Sequence, residues 1–374
     1  MRIKKYGTLL ATICLGVLAC SANAGNATVA IGYHAPLTGE YAQYGILFKN
    51  SATLAVDEFN KSARLPGVTI ELKFEDSKGD AKEGVSIARK FSDDPSIVAA
   101  IGDFSSTVSM AAAQVYAQTK LPQISQTASH PDFLKISEYQ FRNIQTQAQE
   151  GPLLAKWAAA NGVKRVAAVA IQNDWGISAL TNFVDGIKAS GGEVTNTEYF
   201  NPGTRDFRAI LTKIARNKPD AIYIGAFYED GAAFLQQKTQ MGLKQPVYGS
   251  SSLYEKKLID LAGPVANGLY LQTTFVAESS DPRVQAYVKS YEARYGSKPQ
   301  MFAAQAYDAT NIVLNAIVTA GGANATRAKV RDALAATKDF PGVTGVTTFD
   351  AKTREPSKSL SRLQVQDGKF VLMK

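Results

Sequence analysis

From Thr28 onward, short β-branched runs alternate with longer segments whose apolar residues recur at helical spacing. Thr28–Tyr33 reads as a strand, and Gly45–Lys61 as a helix with Leu47, Leu54, Ala55 and Phe59 on one face. Strand Thr69–Phe74, helix Ala81–Ser92, strand Ile97–Ile101, a helix over Thr107–Thr119 and the short strand Leu121–Ile124 follow. A parallel neighbour can be reached only by a long connection, so this succession predicts a doubly wound α/β lobe with right-handed crossovers.

The same rhythm restarts after Arg142. Helix Gly151–Ala160 leads to strand Arg165–Ile171, helix Ile177–Ser190, strand Glu193–Tyr199 and helix Phe207–Asn217. Strand Ala221–Gly225, helix Gly231–Met241 and strand Pro246–Gly249 complete it. Two such runs predict two lobes of one architecture, and the length argues against a single larger sheet. The last third is less regular: strand Gly268–Thr274, helices Asp281–Tyr295, Phe302–Ala320 and Arg327–Ala336, then strand-like Val346–Phe349 and Leu360–Gln366. Helices without intervening strands make a poor third βαβ domain, so these segments should supplement the lobes, with the chain crossing between them more than once.

The amino terminus changes the picture of where the protein works. Arg2, Lys4 and Lys5 precede an apolar run over Leu9–Ala19 and a small-residue Ala22-Asn23-Ala24 site. The run is too short to span a bilayer comfortably, and the whole is expected to be a secretory signal covering residues 1–24, removed after Ala24, with a single membrane anchor as the rival reading. Cys20, in Val17-Leu18-Ala19-Cys20, is the alternative point of lipid attachment. Both cysteines, Cys14 and Cys20, lie in this leader, which excludes disulfide scaffolds, cysteine-ligated zinc and cysteine nucleophiles from the mature chain. The formal net charge of +8 includes three leader cations, and no basic block interleaved with aromatics occurs, so nucleic-acid binding is not expected.

Catalytic machinery is sparse. Only His34 and His130 are available as bases, neither accompanied by a nucleophile elbow, and no H-E-x-x-H, Walker loop or G-x-G-x-x-G occurs. The chain reads as a binder rather than an enzyme, with no cofactor and no metal. In α/β sheets ligands sit beyond the carboxyl ends of the strands, where helix N-termini suit an anion. Two hydroxyl-rich loops stand there: Gly102-Asp103-Phe104-Ser105-Ser106-Thr107 and Ser125-Gln126-Thr127-Ala128-Ser129-His130-Pro131. Each also reads as ordinary helix capping; together they could clasp a carboxylate. Tyr41 and Tyr44 lie in a Gly-rich turn, and in the second lobe Asn173-Asp174-Trp175-Gly176 and Ala226-Phe227-Tyr228-Glu229-Asp230-Gly231 occupy the equivalent positions. They supply aromatic walls and acids opposite the hydroxyls, the division that an ammonium-plus-carboxylate ligand needs.

At these residues the chain resembles the periplasmic leucine/isoleucine/valine-binding family, the type I solute-binding proteins of ABC importers. The resemblance is carried by Pro36-Leu37-Thr38-Gly39 with Ala42-Gln43-Tyr44-Gly45, the loop from Ile101-Gly102 to Ser109, Asn173-Asp174-Trp175-Gly176, Gly203-Thr204-Arg205-Asp206-Phe207, Lys218-Pro219-Asp220-Ala221-Ile222-Tyr223 and Ala306-Tyr307-Asp308-Ala309. It implies two Rossmann-like lobes joined by three crossovers, near Asn143, Thr274 and Gly345. Residues 25–143 with 275–345 would form lobe 1, and 144–274 with 346–374 lobe 2. It further implies a monomer in the periplasm that closes on a small amino-acid-like ligand and serves a membrane permease. By the family pattern Ser106, the Thr127 backbone and Ser129 meet the ligand carboxylate, with Ser105 and Ala128 in the same loops. Tyr44, Trp175 and Phe227 line the pocket. The departure is at Ser250-Ser251-Ser252, where branched-chain-specific members carry a glutamate for the ligand ammonium. Ser251 cannot carry that charge. Either Asp103, Glu229 or Asp230 takes over, or the ligand is not a plain α-amino acid. A sensor of the same fold is the alternative role.

Overall fold

The computed structural model describes residues 27–62 and 64–373; the leader assigned to residues 1–24, with Cys14 and Cys20, lies outside the described residues. The first run of alternation becomes β1 (Ala27–Ala35), α1 (Ala42–Lys61), β2 (Val68–Asp76), α2 (Ala81–Asp93), β3 (Ile97–Ile101), α3 (Ser106–Thr119), β4 (Gln123–Ser125) and β5 (Gln140–Arg142). Its strands form one sheet, ordered β2-β1-β3-β4-β5 and parallel throughout. β3 (IVAAI) is buried on every residue, as a central parallel strand covered on both faces must be.

The second run comprises α4 (Gln147–Ala160), β6 (Arg165–Ile171), α5 (Asp174–Ala189), β7 (Glu193–Phe200), α6 (Arg208–Asn217), β8 (Ala221–Gly225), α7 (Tyr228–Gln240), β9 (Val247–Gly249), α8 (Lys256–Ala262) and β10 (Leu269–Thr273). The last third supplies α9 (Pro282–Tyr295), α10 (Met301–Thr319), α11 (Arg327–Ala335), β11 (Phe340–Gly342), β12 (Gly345–Thr347), β13 (Ser361–Gln366) and β14 (Lys369–Met373). The second sheet is ordered β14-β13-β10-β9-β8-β6-β7, parallel except that β13 and β14 run antiparallel at one edge. Two separate sheets therefore replace the single-sheet alternative. The irregular helices join the first lobe: α10 and α9 pack on α1, and α11 reaches β3.

The chain leaves the first lobe later than the expected crossing near Gly345. Phe349 packs on Phe141 at 5.6 Å between ring centroids, and Arg354 donates to the carbonyls of Leu134, Ser137 and Gln140. The return to the second sheet comes at β13, whose Ser361 pairs with Thr273 of β10. Where the crossings run side by side, Asn143 Nδ2 donates to Gln305 Oε1 (3.1 Å) and Gln305 Nε2 to Thr274 Oγ1 (2.6 Å). Thr347 Oγ1 donates to Asn143 Oδ1 (3.3 Å), so one buried amide network ties the connecting segments together.

β5, α8, β11 and β14 have no counterpart in the sequence reading. β5 is the three residues Gln-Phe-Arg, too short to show a period, and it is a strand because it pairs in register with β4. More telling, α4, α5 and α7 each begin about a turn before the apolar repeat does. Caps explain the early start of α4 and α5: Thr146 makes a capping box with Gln149, and Asn173 accepts from the Gly176 N–H at 2.8 Å.

Candidate functional site

In both lobes the helix that follows the first strand is drawn tightly onto the end of that strand. A Cβ on Gly45 would lie 2.0 Å from the Pro36 carbonyl oxygen, and one on Gly176 2.0 Å from that of Ile171. Only glycine permits so close an approach. The residue before each, Tyr44 and Trp175, is thereby projected from a first helical turn into the space between the lobes. Asp76 holds the loop ahead of α1, its Oδ1 accepting the Leu37 N–H at 2.8 Å.

Between the lobes lies a tight cleft whose empty space, counted out to its opening to solvent, is about 330 Å³. Its polar lining is five hydroxyls: Ser105, Thr127 and Ser129 from the first lobe, Ser251 and Ser252 from the second. Its aromatic lining is Phe104, Trp175, Phe227 and Phe302, with Ile144 and Met301 closing the remainder. Trp175 stacks on Phe227 (centroids 4.9 Å, 20° between planes), and Phe227 meets Phe104 of the opposite lobe at 4.9 Å. No charged side chain is among the lining residues.

Hydrogen bonds cross the cleft on both sides. Ser129 Oγ accepts from Gln147 Nε2 (3.0 Å) and from the Trp175 indole Nε1 (3.2 Å). Tyr44 stacks on Phe104 (4.1 Å), donates its hydroxyl to the Ser252 carbonyl (3.0 Å) and accepts the Tyr228 N–H (3.1 Å). Tyr44 is fully buried and stands behind the lining, bolting the lobes rather than forming the wall.

Of the residues singled out from sequence, Ser105, Thr127, Ser129, Trp175, Phe227 and Ser251 line the cleft. Ser106 does not: its Oγ accepts the His130 N–H at 3.2 Å and clips the two hydroxyl-rich loops together, while neighbouring Ser105 takes the place at the wall. Ala128 lies behind, its N–H bound to Ser125 Oγ and its carbonyl to Arg142.

None of the three expected acids faces the cleft interior. Asp103 is fully buried beneath its loop, 3.2 Å from His34 Nδ1 and accepting the Phe104 N–H. Glu229 and Asp230 sit at the rim, where Arg205 binds Glu229 (2.7 Å), Asp230 (3.2 Å) and, across the gap, Glu40 (3.0 Å). Tyr228 joins this rim through its hydroxyl, which donates to the Glu40 carbonyl. Burial first, and then the Glu40 and Glu229 charges, push the Asp230 carboxyl up to about 7 against the pull of Arg205.

The sequence reading passed over Ser252, Ile144, Met301 and Phe302, which nothing local marks, and over Glu150. Glu150, in the first turn of α4, is 2% exposed and accepts from the Ser251 N–H (2.7 Å), Ser251 Oγ (3.0 Å) and Gln147 Nε2 (3.4 Å). Burial raises its pKa, partly offset by those bonds. The capping box at Thr146 and Gln149 was the available signal that α4 begins early enough to include it.

Comparison with known proteins gives a consistent result. The profile described as periplasmic binding protein matches residues 28–369. A Leu/Ile/Val-binding protein, BraC3, of Rhizobium johnstonii is 28% identical over 97% of both chains. The branched-chain amino acid substrate-binding protein LivJ of Streptococcus pneumoniae, solved with isoleucine, is 28% identical and superposes with a TM-score of 0.85 over 92% of this chain and 97% of its own. A Rhodospirillum rubrum protein, provisionally assigned to branched-chain amino acid ABC transport, is 45% identical with a TM-score of 0.71, covering 92% of this chain and all of its own.

Proposed function

This chain belongs to the periplasmic binding protein family, and on that premise we propose that it is the extracytoplasmic solute-binding component of an ABC importer, capturing an amino acid, branched-chain or related, between two closing lobes. The observation that carries the reading is the convergence of hydroxyls and aromatic rings from both lobes on one cleft closed by bonds across it.

The hydroxyls speak to the ligand's acid. A serine hydroxyl donates once and accepts twice. Ser105 Oγ already accepts the Val108 N–H, and Ser129 Oγ accepts two N–H groups, so each is left with a proton to donate. With the N-terminus of α3 alongside, they suit a carboxylate. The rings of Trp175, Phe227 and Phe302 suit an apolar side chain. Hinge motion about the crossings near Asn143 and Thr274 and ahead of β13 would open and close this site.

On this reading the leader delivers the protein to the periplasm, with lipidation at Cys20 the alternative, and a monomer presents its ligand to the permease without catalysis or cofactor. The absence of charge from the cleft lining favours a second reading, in which the ligand is another small carboxylate or amide. A thermal-shift series with the standard α-amino acids and with small carboxylic acids tests both. Ligand at ~100 times its dissociation constant should stabilise the native state by about 2.7 kcal/mol. Stabilisation by an amino acid is expected; stabilisation only by an amine-free acid overturns the amino-acid assignment, and silence across the series overturns capture of this class of solute.

A further inference from the structure

We propose that Glu150, acting through Ser251, is the positioning acid that makes the cleft select a ligand bearing a cationic amine; this rests on the amino-acid reading above and adds the group that enforces it. Four other acids beside the cleft are committed elsewhere, and the buried Glu255 accepts from Gln43 and from the Lys257 N–H that opens α8. Asp103 faces His34, while Glu40, Glu229 and Asp230 share Arg205 at the rim. Glu150 is buried against the lining with no cation among the charges acting on it. A carboxylate so placed is costly unless a positive charge reaches it.

The direction of the bonds decides what the cleft asks for. Ser251 gives both its N–H and its hydroxyl proton to Glu150, so the Oγ facing the cleft has only lone pairs to offer. That is the reverse of Ser129, whose Oγ is filled with two incoming N–H groups. Gln147 links the Ser129 hydroxyl to the Glu150 carboxylate, its Nε2 donating to Ser129 Oγ at 3.0 Å and to Glu150 Oε2 at 3.4 Å. One end of the cleft therefore donates and the other accepts, with a negative charge directly behind the accepting end. An α-amino acid's carboxylate and ammonium complement that polarity. Protonating Glu150 would free Ser251 to donate instead and would remove the charge.

The test uses the mature chain, the amino acid that stabilises it most in the thermal-shift series, and the same molecule lacking its amine. Calorimetry on Glu150→Gln should show the amino acid weakened at least about tenfold, with the amine-free analogue held within about threefold. Ser251→Ala, which keeps the backbone bond to Glu150, should show the same bias more weakly and serves if Glu150→Gln does not fold. Burial sets the proton uptake of Glu150 above the ordinary glutamate range, so wild-type affinity for the amino acid should fall as pH is lowered through that uptake, and the Glu150→Gln profile should lack that component. Undiminished amino-acid binding by Glu150→Gln, or equal loss of both ligands, overturns the role of Glu150 while leaving the amino-acid reading intact. Failure of the wild type to bind any amino acid sinks the reading itself.

Discussion

The first turn of α1 and the first turn of α5 are the same local device used for different ends. Each places an aromatic residue directly before a glycine that must sit against a strand-end carbonyl: Tyr44-Gly45 on Pro36, Trp175-Gly176 on Ile171. Tyr44 has a hydroxyl, and opposite it stand a carbonyl and an amide of the second lobe, so it becomes a hydrogen-bonded bolt. Trp175 has one donor, which Ser129 takes, and its flat face stays on the cleft beside Phe227. Equivalent positions in two similar lobes thus divide the work of holding the closed form and of forming the pocket wall.

If that division holds, the largest effect should come from Trp175→Ala. Loss of the central ring and of its bond to Ser129 should weaken binding by about 2 kcal/mol or more, roughly 30-fold, as read by calorimetry. Ser129→Ala leaves the Trp175 indole N–H without a partner on closure and Gln147 with only its longer bond to Glu150, and should cost about 1–3 kcal/mol of affinity. Ser106→Ala is the control, expected to lower the melting temperature through the lost clip to His130 while changing affinity less than about threefold. Tyr44→Phe keeps the stack on Phe104 but removes two bonds across the gap. Affinity should fall about tenfold, and small-angle scattering with ligand should show a larger open fraction. If Tyr44→Phe impairs binding more than Trp175→Ala, the assignment of bolt and wall is reversed.

The smallest effects should lie at the rim, where Glu40, four residues before Tyr44, reaches Arg205. Arg205 is half exposed, so Arg205→Gln should cost no more than about 1 kcal/mol of binding, and less at high salt. Asp230 gives the same rim a pH signature. Its folded-state pKa of about 7 lies above the unfolded value of about 4. The folded state therefore holds the proton more tightly, and this contribution to stability is complete below about pH 4 and lost as pH rises to about 7. Asp230→Asn should melt higher than wild type at pH 8, by roughly 1–2 kcal/mol, and lose that advantage near pH 4. Glu255, also pushed up to about 7 by burial, contributes a slope of the same sign that should persist in the variant. An unchanged difference between variant and wild type across this range removes Asp230 as its origin.

Much of the molecule was legible in the chain. Alternation of β-branched runs with helical repeats determined two doubly wound lobes, because burial on both faces of a parallel strand and on one face of a helix leaves different periods. It also marked the strand-end loops, so Ser105, Thr127, Ser129, Trp175 and Phe227 could be picked out as hydroxyls and rings at strand tips. What periodicity could not register was the first turn of α4, α5 and α7. Side chains there face the gap between lobes rather than a core, so the apolar repeat starts only afterwards, and those turns carry Gln147, Glu150, Trp175, Tyr228 and Asp230.

Which acid serves the site was decided by the tertiary structure alone. By sequence Asp103, Glu229 and Asp230 adjoin the expected loops, yet His34 and Arg205 come from distant segments to occupy them. Glu150, about a hundred residues from Ser251, is brought against it by the packing of a helix beneath a strand end. A residue's type and its local turn are properties of the chain, but whether its charge is cancelled depends on which side chains the fold sets within a few ångströms of it.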